Sequence, residues 1–352
     1  MFTQLLREQT SWEKLGNSRK PIVLYGTGNG ADAVLDEFER LGIKIAGVGA
    51  SEGFVRKRDF RGFTVKSIAD FEQEMGDFVI AVGFATSVPQ VMNYIKELMK
   101  KHEVLMPVVP VFGETIFSRE YVENNIDTLN SCRELLRDEE SKRVFDNFVY
   151  FHYTGELRYL FETESQREEA LTNILKLTDK EHMLDLGAYR GDTVEELISL
   201  CGGYSRVTAV EPDPKTFRKL QEYAEGKENI TLLNCAVWNE QTNLSFQGGG
   251  GRQSALSNQG KISVDAFPVD TIVGERKITY VKMDVEGAEK QALEGMKKLA
   301  RTQKPKLSIS AYHRTEDLLT LIPLIHNLNP DYHIYLRHHP YIPCWDTNLY
   351  CV

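Results

Sequence analysis

Along this chain, short apolar runs alternate with stretches whose apolar residues recur at helical spacing. In the first third, Pro21-Ile22-Val23-Leu24-Tyr25, Ile43-Lys44-Ile45-Ala46-Gly47-Val48 and Phe78-Val79-Ile80-Ala81-Val82-Gly83 read as strands, with another near Val104-Leu105-Met106. Between them Ala33, Val34, Leu35, Phe38 and Leu41 share one side of a helix, and a second helix spans about Val88 to Lys101. Apolar strands separated by helices predict a small parallel sheet. Residues 1–19 read as a short polar amphipathic lead-in helix. From about Gly113 to Lys180 strand signals thin out. Runs such as Leu135–Phe145 and Phe148–Tyr153 predict a helical connector whose aromatics are core. Strands then return at His182–Leu186, Val207–Val210, Ile230–Val237, Ile278–Met283, Leu307–His313, His333–His338 and Thr347–Val352. The pattern predicts three parts: a small α/β domain over 1–112, a helical connector over 113–180, and a larger α/β domain over 181–352.

Composition narrows this picture only a little. A length of 352 residues suits about two domains, and 41% hydrophobic with 26% charged residues is ordinary for a globular protein. The formal net charge of -9 repels phosphate backbones and argues against general binding to nucleic acid or anionic membranes. The five cysteines are scattered without a C-x-x-C pair, so reduced thiols in a cytoplasmic protein are expected rather than a disulfide frame or zinc site. The first residues lack the long apolar core of a signal peptide, and no run is long enough to cross a membrane as a helix.

The chemistry concentrates after His182-Met183-Leu184-Asp185-Leu186. That strand breaks into Gly187-Ala188-Tyr189-Arg190-Gly191-Asp192-Thr193, and a helix-forming run follows. The two glycines let the backbone turn sharply and let a ligand lie against it, while Asp192 or Thr193 can cap the helix. The next strand ends in Glu211-Pro212-Asp213, where a carboxylate can accept both hydroxyls of a ribose. The spacing of Asp185, Gly187 and Gly191 is not the dinucleotide G-x-G-x-x-G; it matches the D-x-G-x-x-x-G pattern of Rossmann-like S-adenosylmethionine methyltransferases. In the first domain, Gly26, Gly28 and Ala31 do fit G-x-G-x-x-A, but no acid follows the second strand, where Gly49-Ala50-Ser51 stands instead. That domain resembles the Rossmann-like front domain of sugar O-acyltransferases in Gly26, Gly28, Gly30, Ala31 and the Ala81-Val82-Gly83 strand end. Gln247–Ser254, with four consecutive glycines, reads as a mobile loop: a plain hairpin linker or a substrate gate.

The C-terminal two thirds resemble the FkbM family of S-adenosyl-L-methionine (SAM)-dependent methyltransferases. The matching stretches are Leu186–Thr193, Val269–Ile272, Val281–Glu289, Tyr312-His313, Asp317-Leu318, Tyr335–His339 and Trp345–Tyr350, with Leu136–Ser141 as a lead-in. Arg190 stands where an acid is common, and Asp346 where glutamate is usual. The resemblance implies a mostly parallel seven-stranded sheet with an antiparallel last strand, and methyl transfer to the hydroxyl of a small, carbohydrate-like acceptor. It implies that Asp185, Gly187, Ala188, Tyr189, Gly191, Asp192 and Thr193 hold the methionine end of SAM, that Glu211 with Pro212 takes the ribose, and that Cys235 and Ala236 flank the adenine. Asp284 would sit near the sulfonium, over which Tyr189 can lay its ring. His313 is the expected general base, with Glu286 as orienter or alternative base. Asp284 and Glu286 lack a clear third partner for a divalent ion, so no metal is expected. The alternative is a binding module whose first domain recruits a nucleotide sugar, carrier or protein. Homo-oligomerisation is left open.

Overall fold

The computed structural model describes residues 2–51, 53, 55, 59–246 and 262–352. The chain forms two compact units: residues 1–133, 142–164 and 338–346 make the first, and residues 134–141, 165–337 and 347–352 the second. The chain therefore passes between them several times.

In the first unit, α1 (Ser11–Gly16) starts at Thr10, whose side chain and that of Glu13 cap each other's backbone N–H groups. β1 (Ile22–Tyr25) is wholly buried, and α2 (Asn29–Leu41) follows, ending at Gly42 in the left-handed region. Next come β2 (Gly47–Ala50), β3 (Asp59–Phe60), β4 (Phe63–Ser67), α3 (Ile68–Met75), β5 (Val79–Val82), α4 (Pro89–Leu98) and β6 (Glu103–Leu105). Among the described residues the sheet runs β3-β4-β2-β1-β5-β6, parallel except for the β3–β4 hairpin. The second strand begins later than its apolar run predicts, at Gly47 rather than Ile43. A side chain at Gly47 would come within 2.7 Å of the Phe71 ring, and one at Gly49 within 2.8 Å of Ile68, so this strand is built from small residues. Ile43 and Ile45 instead pack at the rim of the core.

Helices do dominate 113–180, with α5 (Arg119–Glu134), α6 (Glu139–Thr154), α7 (Arg158–Phe161), α8 (Arg167–Glu169) and a π-helical turn at Ala170–Ile174. They are divided between the units rather than forming one of their own. The expected aromatic core is present: Phe145, Phe148, Phe151 and Tyr153 are buried.

The second unit is a doubly wound α/β sheet. Its elements are β7 (His182–Leu186), α9 (Asp192–Cys201), β8 (Arg206–Val210), α10 (Pro214–Ala224), β9 (Ile230–Leu233), β10 (Ala236–Trp238), β11 (Thr242–Phe246), β12 (Ile262–Pro268) and α11 (Val269–Val273). They continue with β13 (Tyr280–Met283), α12 (Glu289–Glu294), α13 (Lys297–Thr302), β14 (Lys306–Ser310), α14 (Asp317–Leu328), β15 (Ile334–His338) and β16 (Thr347–Cys351). Among the described residues the main sheet runs β15-β16-β14-β13-β7-β8-β9. β14, β13, β7, β8 and β9 are parallel, and β16 lies antiparallel to β14, as expected. The run Ile230–Val237 is not one strand. Asn234 ends β9, its side-chain amide donating to the carbonyls of Glu211 and Pro212, and β10 joins a separate sheet ordered β10-β12-β11. The stretch Gln247–Ser254 lies outside the described residues; β11 and β12 on either side of it pair antiparallel. No helix of the described residues is long and apolar enough to cross a membrane.

Candidate active site

Strand order reverses between β7 and β13, and ligands of open parallel sheets bind outside the carboxyl ends of strands at such a point. The candidate residues gather there. Gly187, just past β7, is left-handed at φ 79°, and a Cβ on it would lie 1.8 Å from the carbonyl oxygen of Asp284 just past β13. Only glycine lets the two strand exits approach so closely. Across the same gap, Lys282 Nζ donates to Gly187 O at 2.7 Å and pairs with Asp185 at 3.3 Å. Both side chains are buried. Burial disfavours the charge on each; the ammonium stays charged because Asp185, Asp284 and Asp192 outweigh it, whereas burial prevails at Asp185 and raises its carboxyl.

The turn after β7 uses most of its own N–H groups. Those of Gly187 and Ala188 donate to Val210 O, and that of Gly191 to Ala188 O. Tyr189, left-handed at φ 45°, donates its N–H to Glu211 Oε2 at 3.0 Å. Glu211 Oε1 accepts from the Asp213 N–H at 2.9 Å. Burial pushes the Glu211 carboxyl up to about 7 against these two N–H groups. The N-terminus of α9, at Gly191, has no side-chain cap.

On the other side of the gap, the exit of β13 carries Asp284 and Glu286, and the exit of β14 carries His313. His313 Nε2 lies 3.4 Å from Asp284 Oδ1 and 3.5 Å from Glu286 Oε2. Its Nδ1 lies 2.9 Å from Glu289 Oε1, and that same oxygen accepts the Val285 N–H. His313 and Glu289 are 3% and 1% exposed, whereas the Asp284 and Glu286 side chains are about one third exposed. Burial works against charge on His313, but Glu289, Asp284 and Glu286 overcome it and push the imidazole up to about 10. Burial raises Glu286 to about 8, with Asp284 and Glu289 adding to it. Asp317 behind them is buried and raised to about 7; it accepts the Arg314 N–H at 2.8 Å. Glu286 is left-handed at φ 53°, so two non-glycine residues in this disfavoured region, Tyr189 and Glu286, flank the gap. Such backbone strain clusters at functional sites.

Residues 185–341 match the family profile of the Methyltransferase FkbM domain. Over this segment the chain is similar to FkbM methyltransferases. Over 95% of the chain and 90% of its counterpart, the fold is similar to the crystal structure of Methyltransferase FkbM from Methylobacillus flagellatus, at 24% identity and a TM-score of 0.73. A second match, fibrillarin of Aeropyrum pernix in complex with natively bound S-adenosyl-L-methionine, covers 52% of the chain and 73% of its own, at 13% identity and a TM-score of 0.35. A search of curated proteins returned no significant match.

In this segment the expected residues fall into two groups, one on each side of the β7–β13 gap. Asp185, Gly187, Ala188, Tyr189, Gly191, Asp192, Thr193, Glu211 and Pro212 lie on the β7–β8 side; Asp284, Glu286 and His313 lie on the other. Cys235 stands between β9 and β10 and Ala236 opens β10, with the Cys235 thiol raised to about 11 by burial. Some local expectations change. Neither Asp192 nor Thr193 caps α9: they are its first residues, and Gly191 occupies the cap position. The Tyr189 ring already carries the Arg190 guanidinium at 4.8 Å. His313 has carboxylates beside both ring nitrogens, Glu289 at Nδ1 and Asp284 and Glu286 at Nε2. Sequence reasoning missed Lys282, whose signal was a charge inside an otherwise apolar strand. It also assigned no role to Glu289, whose Oε1 lies 2.9 Å from His313 Nδ1.

Proposed function

We propose that this FkbM-like segment transfers a methyl group from SAM to a hydroxyl oxygen of a small, carbohydrate-like acceptor. The observation that carries this reading is the placement of Glu211 at the exit of β8, and of Asp284, Glu286 and His313 at the exits of β13 and β14, on either side of the strand-order reversal. The residues fit SAM: Glu211 is fixed by two N–H groups at the end of β8, as ribose recognition requires, and α9 offers an uncapped N-terminus to a carboxylate. Bound there, SAM supplies an electrophilic methyl group on a sulfonium.

The chain's part is alignment and proton removal. Holding donor and acceptor in line at near-contact distance supplies much of the rate, because it replaces a bimolecular encounter. Asp284, at the exit of β13, lies beside the position of the reacting groups and stabilises positive charge there. Glu286 takes the acceptor's proton: its side chain is part-exposed and its left-handed backbone sets it at the rim, whereas His313 is buried between carboxylates. His313 and Glu289 hold these carboxylates in place. The test is calorimetry with SAM on the wild type and on Glu211→Ala, with conversion of SAM to S-adenosylhomocysteine followed across a panel of hydroxylated acceptors. Binding that Glu211→Ala weakens at least tenfold supports the reading; no binding to the wild type overturns it.

A further inference from the structure

Lys282 is the charged residue of β13, where its companions Tyr280, Val281 and Met283 are all buried and uncharged. It pairs in register with Asp185, an acid inside β7. Side chains alternate across a sheet, so both enter the face that carries Met183, Val207, Ala209 and Tyr280, in the core that Val194 and Leu197 of α9 cover. Replacing a buried ion pair by apolar residues of like volume is often neutral or stabilising. Stability therefore gives little reason for this pair.

Three details give it another role. First, the short bond of the ammonium goes to the backbone. Nζ lies 2.7 Å from Gly187 O but 3.3 Å from Asp185 Oδ1, longer than a charge-assisted hydrogen bond. Second, the peptide that links Gly187 to Ala188 is thereby held at both ends, its oxygen by Lys282 and its N–H by Val210 O. That peptide sets the direction in which the turn leaves β7, from a glycine at φ 79°. Third, Asp185 is 0% exposed, and neither of its oxygens has a hydrogen-bond partner among the described residues. A carboxylate that water does not touch is not open to a ligand; what it offers is compensation for the buried ammonium beside it. The expectation that Asp185 itself holds the methionine end of SAM gives way to an indirect part.

We propose that Lys282 and Asp185 are positioning residues for SAM. Asp185 holds the Lys282 ammonium, Lys282 holds the Gly187 carbonyl, and residues 187–191 are thereby set to receive the methionine end, with no contact between Asp185 and the ligand. The clamp on the turn exists without ligand; its purpose rests on the SAM reading above.

The test compares the full-length wild type, Lys282→Met, and Lys282→Met combined with Asp185→Val. Lys282→Met alone strands a buried carboxylate, so its denaturation midpoint should fall, and adding Asp185→Val should restore most of the loss. SAM affinity should not return with it. Calorimetry should find both variants at least tenfold weaker than the wild type and within about threefold of each other. Amide hydrogen exchange, read by mass spectrometry without SAM, should be at least tenfold faster at residues 187–191 in the double variant than in the wild type. The double variant strands no charge, so it carries the affinity and exchange comparisons if Lys282→Met fails to fold. Affinity that returns with stability makes the pair structural and overturns the proposal. A double variant more than tenfold weaker than Lys282→Met puts Asp185 against the ligand and overturns its assignment. Unchanged exchange at residues 187–191 overturns the clamp whether or not SAM binds. A wild type that binds no SAM, with faster exchange in the double variant, leaves the clamp standing and removes the SAM reading alone.

Discussion

A methyl group added at Gly187 would meet the carbonyl oxygen of Asp284, in a backbone conformation that side chains disfavour. Gly187→Ala is therefore expected to cost about 1–2 kcal/mol from the left-handed backbone alone, and more from forcing β7 and β13 apart. Chemical denaturation reads the stability, and calorimetry reads the accompanying loss of SAM affinity. Glu286→Gln removes the proposed proton acceptor while keeping the side chain's volume. Turnover should fall roughly 10²–10⁴-fold with SAM affinity nearly unchanged, and unchanged turnover would remove Glu286 from that role. A third residue bears on pH. His152 is buried, with Nδ1 2.9 Å from Phe148 O and Nε2 3.4 Å from Cys344 Sγ, and burial lowers its imidazole to about 4. Its folded-state value lies below the unfolded one, so between about pH 6.5 and 4 the unfolded chain takes up a proton that the folded chain refuses. Stability is thus full above that window and falls as pH drops through it, by up to about 3 kcal/mol from this group. His152→Asn should flatten that fall in denaturation midpoints measured at pH 7 and pH 4.5.

At the scale of elements, β7, β8, β13 and β14 were legible as apolar runs because parallel strands are buried on both faces. The acids after β8 and β13 and the histidine after β14 were legible too, which is why Glu211, Asp284, Glu286 and His313 could be named together. The β9–β10 break was not, because Leu233 and Ala236 continue the same apolar run and only the Asn234 amide separates them. Short, part-exposed strands such as β3 and β4 carry too few apolar residues to signal themselves. Lys282, Glu289 and Asp317 were missed for another reason: a buried charge reads as a surface residue until its partner is known. β16 belongs to the legible group, and its insertion between β14 and β15 makes it central. Leu349 is fully buried there, paired to Ile309. Leu349→Ala should lower stability by about 2–5 kcal/mol, measured by urea denaturation.

For the whole molecule, the interleaving of the chain has a direct consequence for dissection. The first unit's core is completed by α6, whose Phe145 ring stands 6.0 Å from that of Phe2, and by residues 338–346. Ile342 pairs with Thr86 through two backbone hydrogen bonds, at 2.8 and 3.0 Å. A fragment ending at residue 112 lacks both contributions. Expressed alone it should give dispersed amide signals weakly or not at all in a two-dimensional NMR spectrum, whereas the full chain should give them throughout. A well-dispersed fragment spectrum would show that the sheet is self-sufficient. The same feature sets a timetable for the ribosome. Although its sheet is made first, the first unit has to wait, partly assembled, until residues 338–346 have been synthesised; chaperones that shelter nascent chains have most to do during that interval.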